Sequence, residues 1–250
     1  MGHDGGSAVI RIVVSSQQIQ EKRIHLTPDQ THYLFRVMRL HPGDHIEALL
    51  SGQSIYRCGV TQDPHVVDCL DVREALEPNL LYLAQALIKK DLFSQVVEKG
   101  TEAGLAGFYP LITERTIVRD VSASKWNRWR TIAQEATEQA HRSLVPELFP
   151  AVSISDVIQM SASPKLLLDP GGRNIWDWLA SHQISCFAHG LLVVGPEGGL
   201  TAREQGHLIK AGFEAVSLGP YVYRAENAGV FAAAVFAAWL SSERRGQSVL

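Results

Sequence analysis

From about residue 80 onward, short apolar runs alternate with longer amphipathic segments, and this alternation limits the possible folds more than any other feature. Apolar runs such as LLYLAQAL from residue 80, FYPLIT from 108 and LLVV from 191 suit buried strands. The segment DLFSQVVEKGTEAG suits a helix, and its Gly104 is a natural residue just beyond a helix end. Strands joined by helices predict an α/β fold with a mostly parallel sheet covered on both faces.

The first part of the chain has a different pattern, in which short apolar stretches follow one another closely. Five β-like stretches separated by turn signals predict a small β-barrel, and these are AVIRIVV, RIHL, HIEALL, SIYRCGV and VVDCLDV. One helix interrupts them from Thr27 to Leu40, because Thr27 can cap it and Pro28 suits its first turn. The proline-containing segment EALEPNL then marks a boundary, which gives domains at 8–76 and 77–250.

Composition excludes several classes of protein. The 250 residues carry a formal charge of −3, so a nucleic-acid partner would have to be held by a local basic patch. The three cysteines, Cys58, Cys69 and Cys186, form no CxxC pair, which disfavours a disulfide framework and a zinc site and indicates a reduced, cytoplasmic setting. His41 and His45 have a possible ligand spacing, but a proline and a glycine between them break the helix that such a pair needs.

Two segments bear on targeting and on membrane association. The opening residues MGHDGGS show no signal-peptide pattern and are expected to be a leader outside the fold. The most apolar run, Ala228 to Leu240, is shorter than the ~18 residues that a membrane span requires. We expect it to be a buried helix and the protein to have no membrane partner.

The stretch LLVVGPEGGLTAREQ, residues 191–205, contains the first candidate site. A buried strand ends in a glycine-rich turn, and Thr201 with Glu204 forms a capping box that fixes where the next helix begins. Such strand-to-helix turns are where open α/β sheets bind ligands. The spacing matches neither the dinucleotide fingerprint nor a P-loop, and Glu197 would repel a phosphate, so the ligand is neutral or cationic there. The alternative is that the glycines only permit a sharp turn and Glu197 is solvated.

A second stretch, SLGPYVYRAENAGVF from Ser217 to Phe231, repeats the arrangement of strand, glycine, charged residues and helix. Two such turns after successive strands can lie side by side and form one pocket. Arg224 and Glu226 flank Ala225, and in an extended segment both side chains would point to the same side.

At these residues the chain resembles the SPOUT-superfamily methyltransferases that methylate N3 of a uridine in small-subunit (16S) ribosomal RNA. The resemblance covers nearly the whole chain in collinear order. It rests on GPEGG with Glu204, on SLG followed by Arg224, Glu226 and Ala228, and on LITERT, Arg128-Trp129, EATEQAHRSLVPEL and HYLFRVMRLHPGD. The chain departs from the family pattern at Ala140-His141, Tyr221, Tyr223 and Asn227.

The resemblance implies an N-terminal PUA-like β-barrel and a C-terminal SPOUT domain with a deep trefoil knot around S-adenosylmethionine. It also implies a homodimer that acts on 16S ribosomal RNA or the small ribosomal subunit, without a metal. The implied cofactor-binding residues are Leu168, Asp169, Gly171, Gly195, Pro196, Glu197, Gly198, Gly199, Leu218, Gly219, Val222, Tyr223, Ala225 and Asn227.

Methylation of uridine N3 requires loss of an imide proton and stabilisation of negative charge on the base. Arg224 suits that stabilisation. Glu226 is either a base or orienting residue for the reaction, or a residue that caps the last helix. The candidate RNA-binding residues are Arg11, Arg23, Arg36, Arg39, Lys89, Lys90, Arg115 and Arg142. Two alternatives stay open: methylation of a different RNA position, such as a ribose 2′-hydroxyl or another base, and a non-catalytic RNA-binding homologue.

Overall fold

The computed structural model describes residues 9–75, 80–118, 120–182 and 189–247. The chain divides into two compact units, one formed by Met1–Glu77 with Thr137–Val145 and the other by Pro78–Ala136 with Pro146–Leu250. The boundary predicted between residues 76 and 77 falls in 76–79, outside the described residues, as does Cys186.

Residues 137–145, which the sequence assigns to the second domain, group with the first unit instead. The Gly52 amide donates to the Ser143 carbonyl at 2.8 Å, and the Val145 amide donates to the Ser51 hydroxyl at 2.9 Å. Such bonds between distant segments have no signature in a local sequence pattern.

The first unit is a six-stranded sheet, which confirms the prediction of a small N-terminal strand domain. Its strands are β1 (Ile10–Val13), β2 (Ile19–Gln20), β3 (Arg23–His25), β4 (His45–Leu50), β5 (Ser54–Val60) and β6 (Val66–Glu74). They lie in the order β1-β4-β5-β6-β3-β2, and β1 pairs with β4 in parallel while the other neighbours are antiparallel. Alternate residues, including Ile12, Ile24 and Ile46, point into the core.

The helix predicted from Thr27 to Leu40 is shorter and less regular than expected. Helix α1 (Pro28–His32) is capped by the Thr27 hydroxyl, which accepts from the Gln30 amide at 3.2 Å. A π-helical turn, Tyr33–Val37, follows and closes with a bond from the Met38 amide to the Tyr33 carbonyl. The wider turn changes which side chains face inward, so Leu34 is buried while Val37 is 57% exposed.

The second unit contains a parallel sheet with helices on both sides. Its strands are β7 (Leu81–Ala86), β8 (Gly107–Ile112), β9 (Glu147–Leu148), β10 (Val152–Ser153), β11 (Lys165–Asn174), β12 (Gly190–Val194) and β13 (Glu214–Ser217). The other helices are α2 (Phe93–Glu102), α3 (Ala123–Gln139), α4 (Ile154–Gln159), α5 (Ile175–His182), α6 (Ala202–Lys210) and α7 (Ala225–Gln247). The sequence did not predict β9, β10 or α4.

The strand order β10-β8-β7-β12-β11-β13, with β9 on β8, is parallel throughout, as predicted. Leu192 and Val194 belong to a core cluster that includes residues of α2, α5 and α7. Leu191 and Val193 belong to another cluster with residues of α4 and α6. Burial on both faces explains why the strands read as continuous apolar runs.

The order of the strands creates a place for a ligand. From β7 the chain passes through α2 to β8 on one side, whereas from β12 it passes through α6 to β13 on the other. Because β7 and β12 are neighbours, the loops at their carboxyl ends diverge and leave a crevice between them. The trefoil knot stays a prediction.

Candidate functional site

A cavity of about 670 Å³ opens at the carboxyl ends of β7, β11, β12 and β13. Two turns form much of its wall. The GPEGG turn, residues 195–200, follows β12, and the tyrosine turn, residues 218–224, follows β13. The two turns that the sequence singles out therefore face one pocket of the second unit.

The GPEGG turn is tightly built. The Gly199 amide donates to the Pro196 carbonyl at 2.8 Å, and Gly199 has a φ of +67°, which favours glycine. At Gly195 a side chain would be crowded, because an added Cβ would lie 3.0 Å from the Leu200 nitrogen and the neighbouring backbone would have to shift. These glycines allow the chain to turn sharply at the cavity wall.

Glu197 joins the loops that follow the two diverging strands. Its side chain is exposed, and its Oε1 accepts a hydrogen bond from the Lys89 amide at 3.2 Å. Lys89 lies beyond the end of β7, and both residues line the cavity. The carboxylate therefore has a backbone partner across the crevice. The alternative, in which Glu197 is only solvated, does not account for this bond.

Buried Glu204 fixes the other end of the GPEGG turn. Its Oε2 accepts from the Thr201 amide at 2.8 Å, and the Thr201 hydroxyl accepts from the Glu204 amide at 3.2 Å. This is the predicted capping box. The Oε1 atom accepts from the Glu114 amide at 2.8 Å, so one carboxylate bonds the turn and the segment after β8.

Arg115 also holds this turn. Its guanidinium donates to the Gly198 carbonyl at 2.5 Å and more distantly to the Leu200 carbonyl at 3.5 Å. Next to it, the Arg203 side chain donates to Glu114 at 2.9 Å, and that hydrogen bond lowers the pKa of the Glu114 carboxyl below its ordinary value. Arg115, which the sequence proposed for RNA, thus bonds the turn and is absent from the residues that line the cavity.

The third wall comes from the middle of β11. One Asp169 oxygen accepts from the Gly171 amide at 2.7 Å, and the other accepts from the Gln205 side chain at 2.7 Å. The pairing of β11 with β13 shifts between Leu168 and Arg173. The strand therefore bulges where Asp169 reaches the cavity.

The tyrosine turn is more open. Tyr221 is 74% exposed and Val222 is 79% exposed, whereas the Tyr223 ring packs edge-on against Phe231 at 5.1 Å between centroids. Gly219 begins the turn with a φ of +109°, a conformation that a side chain would strain. Few contacts therefore hold this turn in place.

Arg224 and Glu226 lie where the tyrosine turn meets α7, and both line the cavity. The Arg224 carbonyl accepts from the Asn227 and Ala228 amides at 2.9 and 3.0 Å, which starts the helix. Within the described residues, neither the exposed Arg224 side chain nor the half-buried Glu226 side chain has a hydrogen bond or ion pair. A cation and a carboxylate at the cavity are thus available to a ligand.

Most predicted cofactor and catalytic residues come together at this cavity. Those that line it are Leu168, Asp169, Gly195, Pro196, Glu197, Gly199, Leu218, Val222, Tyr223, Arg224, Ala225 and Glu226. Gly171, Gly198, Gly219 and Asn227 are not among the lining residues. Gly171 still contributes, because its amide orients Asp169.

The sequence interpretation missed several lining residues. Leu92 follows β7, and Leu200 and Gln205 follow the GPEGG turn. Their positions in the sequence could have predicted this, because each lies shortly after a predicted strand that ends at the same edge of the sheet. Gln205 lies within the stretch 191–205, but nothing in the sequence shows that it bonds Asp169 from β11.

Two of the cations predicted to contact RNA, Arg11 and Arg142, are buried, which argues against their contact with RNA. The Arg11 side chain donates to the Glu47 carboxylate at 3.0 Å and to the Arg142 carbonyl at 2.9 Å, and Arg142 is itself only 8% exposed. Burial alone would raise the pKa of Glu47, but hydrogen bonds from Arg11 and Arg73 outweigh it and hold the pKa below its ordinary value. Arg11 and Arg73 therefore both bond Glu47 within the first unit.

The remaining cations differ in their surroundings. Arg23 is exposed and pairs with Asp68 at 3.1 Å, while Arg36 and Arg39 are exposed on the same unit. Lys89 lines the cavity of the second unit. The Lys90 side chain lies outside what the structure describes.

Two kinds of feature are absent from the described residues. These residues include no group of three or more histidine, cysteine, aspartate or glutamate residues arranged to hold a metal ion. Within the same ranges, no helix has both the length and the apolar character needed to cross a membrane.

Comparison with known proteins identifies the family. The RNA methyltransferase domain model matches residues 75–237, and the RNA methyltransferase PUA domain model matches residues 26–65. The chain belongs to the RNA methyltransferase family. This methyltransferase is 34% identical to ribosomal RNA small subunit methyltransferase E of Synechocystis, an alignment that covers 93% of this chain and 78% of the relative. It is 31% identical to the Bacillus subtilis protein of the same name, over 88% and 92% of the two chains.

The solved structures agree with the family. This methyltransferase resembles ribosomal RNA small subunit methyltransferase E from Neisseria gonorrhoeae, whose crystal structure contains bound S-adenosyl methionine. The TM-score is 0.79 at 25% identity, and the match covers 92% of this chain and 97% of the other.

Proposed function

We propose that this RNA methyltransferase transfers a methyl group from S-adenosylmethionine to N3 of a uridine in 16S ribosomal RNA. The observation that carries the proposal is the single cavity bordered by the GPEGG turn and the tyrosine turn, with Arg224 and Glu226 at its wall. The relatives named ribosomal RNA small subunit methyltransferase E support the substrate class.

The residues at the cavity fit S-adenosylmethionine. Its volume of about 670 Å³ is within the usual range of small-molecule sites. The carboxylates of Asp169 and Glu197 suit a cationic sulfonium, and Leu168, Leu218 and Val222 offer an apolar surface for an adenosyl group. S-adenosylmethionine, when bound, supplies an electrophilic methyl group.

We infer that Arg224 acts on the acceptor base. Its exposed guanidinium has no carboxylate partner among the described residues, so it can stabilise the negative charge that develops on the uridine carbonyl oxygens when N3 loses its proton. Glu226 is half-buried beside it and makes no described hydrogen bond to the start of α7. This supports Glu226 as the acceptor of the N3 proton more than as a helix cap.

The proposal extends to the RNA and to a second copy of the chain. Arg23, Arg36 and Arg39 are exposed cations of the first unit, and Lys89 is an exposed cation at the cavity. For a homodimer, the support is the exposed side of α7, on which Phe231, Ala234 and Ala238 follow one another at helical spacing. An enzyme of 16S ribosomal RNA would work in the cytoplasm.

The experiment is methylation of small ribosomal subunits and of free 16S ribosomal RNA with isotope-labelled S-adenosylmethionine, followed by nucleoside mass spectrometry. The expected product is N3-methyluridine at one position. A methylated ribose or another methylated base would support a different RNA position as the target. Cofactor binding without any methyl transfer to either substrate would support the non-catalytic alternative.

A further inference from the structure

A second cleft, of about 460 Å³, lies on the first unit. One wall is formed by α1 and the π-helical turn, which contribute His32, Phe35 and Arg36. The opposite wall is the loop before β6, which contributes Pro64 and His65. We call it the His32–His65 cleft. None of the functional residues assigned above to the second unit belongs to it.

The backbone of the first wall is irregular in a way that exposes these side chains. The π-helical turn buries Leu34 in the core and leaves Phe35 half-buried and Arg36 exposed. Arg39, two residues beyond the turn, has a φ of +55°, which is uncommon for a residue with a side chain. Single π-helical turns and such strained residues occur frequently at functional sites.

The second wall is held in place by its own hydrogen bonds. The Thr61 hydroxyl donates to the Val66 carbonyl at 2.8 Å, and the His65 amide donates to the Asp63 carboxylate at 2.9 Å. The Thr31 hydroxyl reaches across to the Pro64 carbonyl at 3.3 Å. The cleft is therefore formed before any ligand arrives, which lowers the entropic cost of binding.

The charges of the cleft favour an anion. None of the described residues that line it is acidic. Arg36 differs from Arg11, Arg23 and Arg73 of the same unit, each of which is paired with a carboxylate, because no described residue pairs with Arg36. Phe35 adds an aromatic ring beside this cation and the two imidazoles.

We propose that the His32–His65 cleft binds one nucleotide of single-stranded RNA, and this inference rests on the proposed function. The base stacks against Phe35, while Arg36 and the two imidazoles contact the phosphate. An aromatic ring beside a cation is the usual arrangement for single-stranded RNA, because every base has a face that can stack. The exposed side chains of Val37 and Met38 alone would also suit a peptide, but the unpaired guanidinium favours a phosphate.

The test uses the full chain and a fluorescent twelve-nucleotide oligouridylate, with Kd measured by anisotropy at several salt concentrations. Phe35→Leu keeps an apolar side chain and is expected to weaken binding about tenfold by loss of stacking. Arg36→Gln is expected to weaken binding about fivefold and to reduce the slope of log K against log salt by about 0.7. Arg57→Gln removes an exposed charge elsewhere on the same unit and is expected to change Kd less than twofold.

A photo-crosslink from a 4-thiouridine oligonucleotide should map to Phe35 or His65. Equal weakening by Arg36→Gln and Arg57→Gln, or crosslinks only in the second unit, would overturn the inference. Displacement of the RNA by a polyglutamate peptide at equal concentration would also overturn it, since the cleft would then prefer any polyanion. Calorimetry with S-adenosylmethionine separates the two proposals. If the wild-type chain binds this cofactor while Phe35→Leu leaves the Kd for RNA unchanged, the proposed function stands and the proposal for the cleft is wrong.

Discussion

The GPEGG turn and the tyrosine turn border the same cavity, but they are held very differently. The GPEGG turn receives hydrogen bonds from Arg115 and, through Glu197, from the Lys89 amide, and its far end is fixed by the buried Glu204. In the tyrosine turn, none of the described backbone hydrogen bonds is donated by Tyr221, Val222 or Tyr223. Several hydrogen bonds therefore hold one wall of the cavity, whereas few contacts hold the other.

This difference predicts separate tasks for the two turns. A turn with many hydrogen bonds can hold a ligand in a fixed position, because its own entropy is already lost. A turn with few contacts can close over the ligand and present a side chain at its end to the second substrate. We expect the second role for the tyrosine turn, which ends at Arg224 and lines the cavity.

The largest effect is expected from Arg224→Ala. Loss of a group that stabilises charge in the transition state lowers the rate by roughly 10²–10³-fold. Because binding depends on the rest of the cavity, the Kd of S-adenosylmethionine should change less than about threefold. Single-turnover methyl transfer and calorimetry measure the two quantities, and Arg130→Ala, an exposed arginine of α3, is the matched control. Unchanged turnover in Arg224→Ala would remove this side chain from the mechanism.

Gly195→Ala should damage the rigid turn. The added Cβ would lie 3.0 Å from the Leu200 nitrogen, so the turn must shift, and we expect S-adenosylmethionine to bind about tenfold more weakly. The control is Gly206→Ala in α6, where an added Cβ meets nothing within 4 Å. That variant should bind normally and gain about 0.5–1 kcal/mol in free energy of unfolding. Equal cofactor affinity in both variants would contradict the account of the GPEGG turn.

Hydrogen exchange should separate the turns directly. Without cofactor, amides at 221–223 should exchange rapidly, whereas the Gly199 amide, bonded to the Pro196 carbonyl, should exchange more slowly. Addition of S-adenosylmethionine should slow exchange at 221–223 severalfold, with a smaller change at Gly199. A mass-spectrometric measurement in which both turns respond equally would remove the distinction between them.

The smallest effect concerns acid stability near the GPEGG turn. The hydrogen bond from Arg203 lowers the folded-state pKa of Glu114 below the ordinary value of 4.5. A depressed pKa contributes stability above pH 4.5 that is lost as the pH falls through the folded-state value. Urea unfolding at several pH values should therefore show a steeper decline below pH 4.5 in the wild type than in Glu114→Gln. Identical profiles would show that this pair does not stabilise the fold.

Much of the fold was predictable because its signals are local. The capping box of Thr201 and Glu204 and the apolar run of β12 are both determined by neighbouring residues, and both occur as predicted. The π-helical turn after α1 was not predictable, because its bonding pattern depends on packing of Leu34 in the core. The grouping of residues 137–145 with the first unit likewise depends on bonds between segments distant in sequence.

The candidate site likewise has some features that the sequence predicts and others that depend on contacts between distant segments. Glycines and charges after strand ends predicted which turns would meet, because parallel strands end at one edge of a sheet. The sequence could not show that Arg11 is buried against Glu47. The local pattern around an arginine in a strand does not depend on whether a carboxylate lies on the neighbouring strand. Nor could the sequence show that Glu197 accepts a bond from Lys89, which depends on the order of β7 and β12 in the sheet.

The most direct test is a crystal structure of the full chain with S-adenosylmethionine. We expect the cofactor between residues 195–200 and 218–224, with the Arg224 side chain on the methyl side and the tyrosine turn closed over the ligand. The GPEGG turn should keep its bonds to Arg115 and Lys89. Cofactor bound outside this cavity, or bound there with the tyrosine turn unmoved and Arg224 directed away from the methyl group, would contradict it.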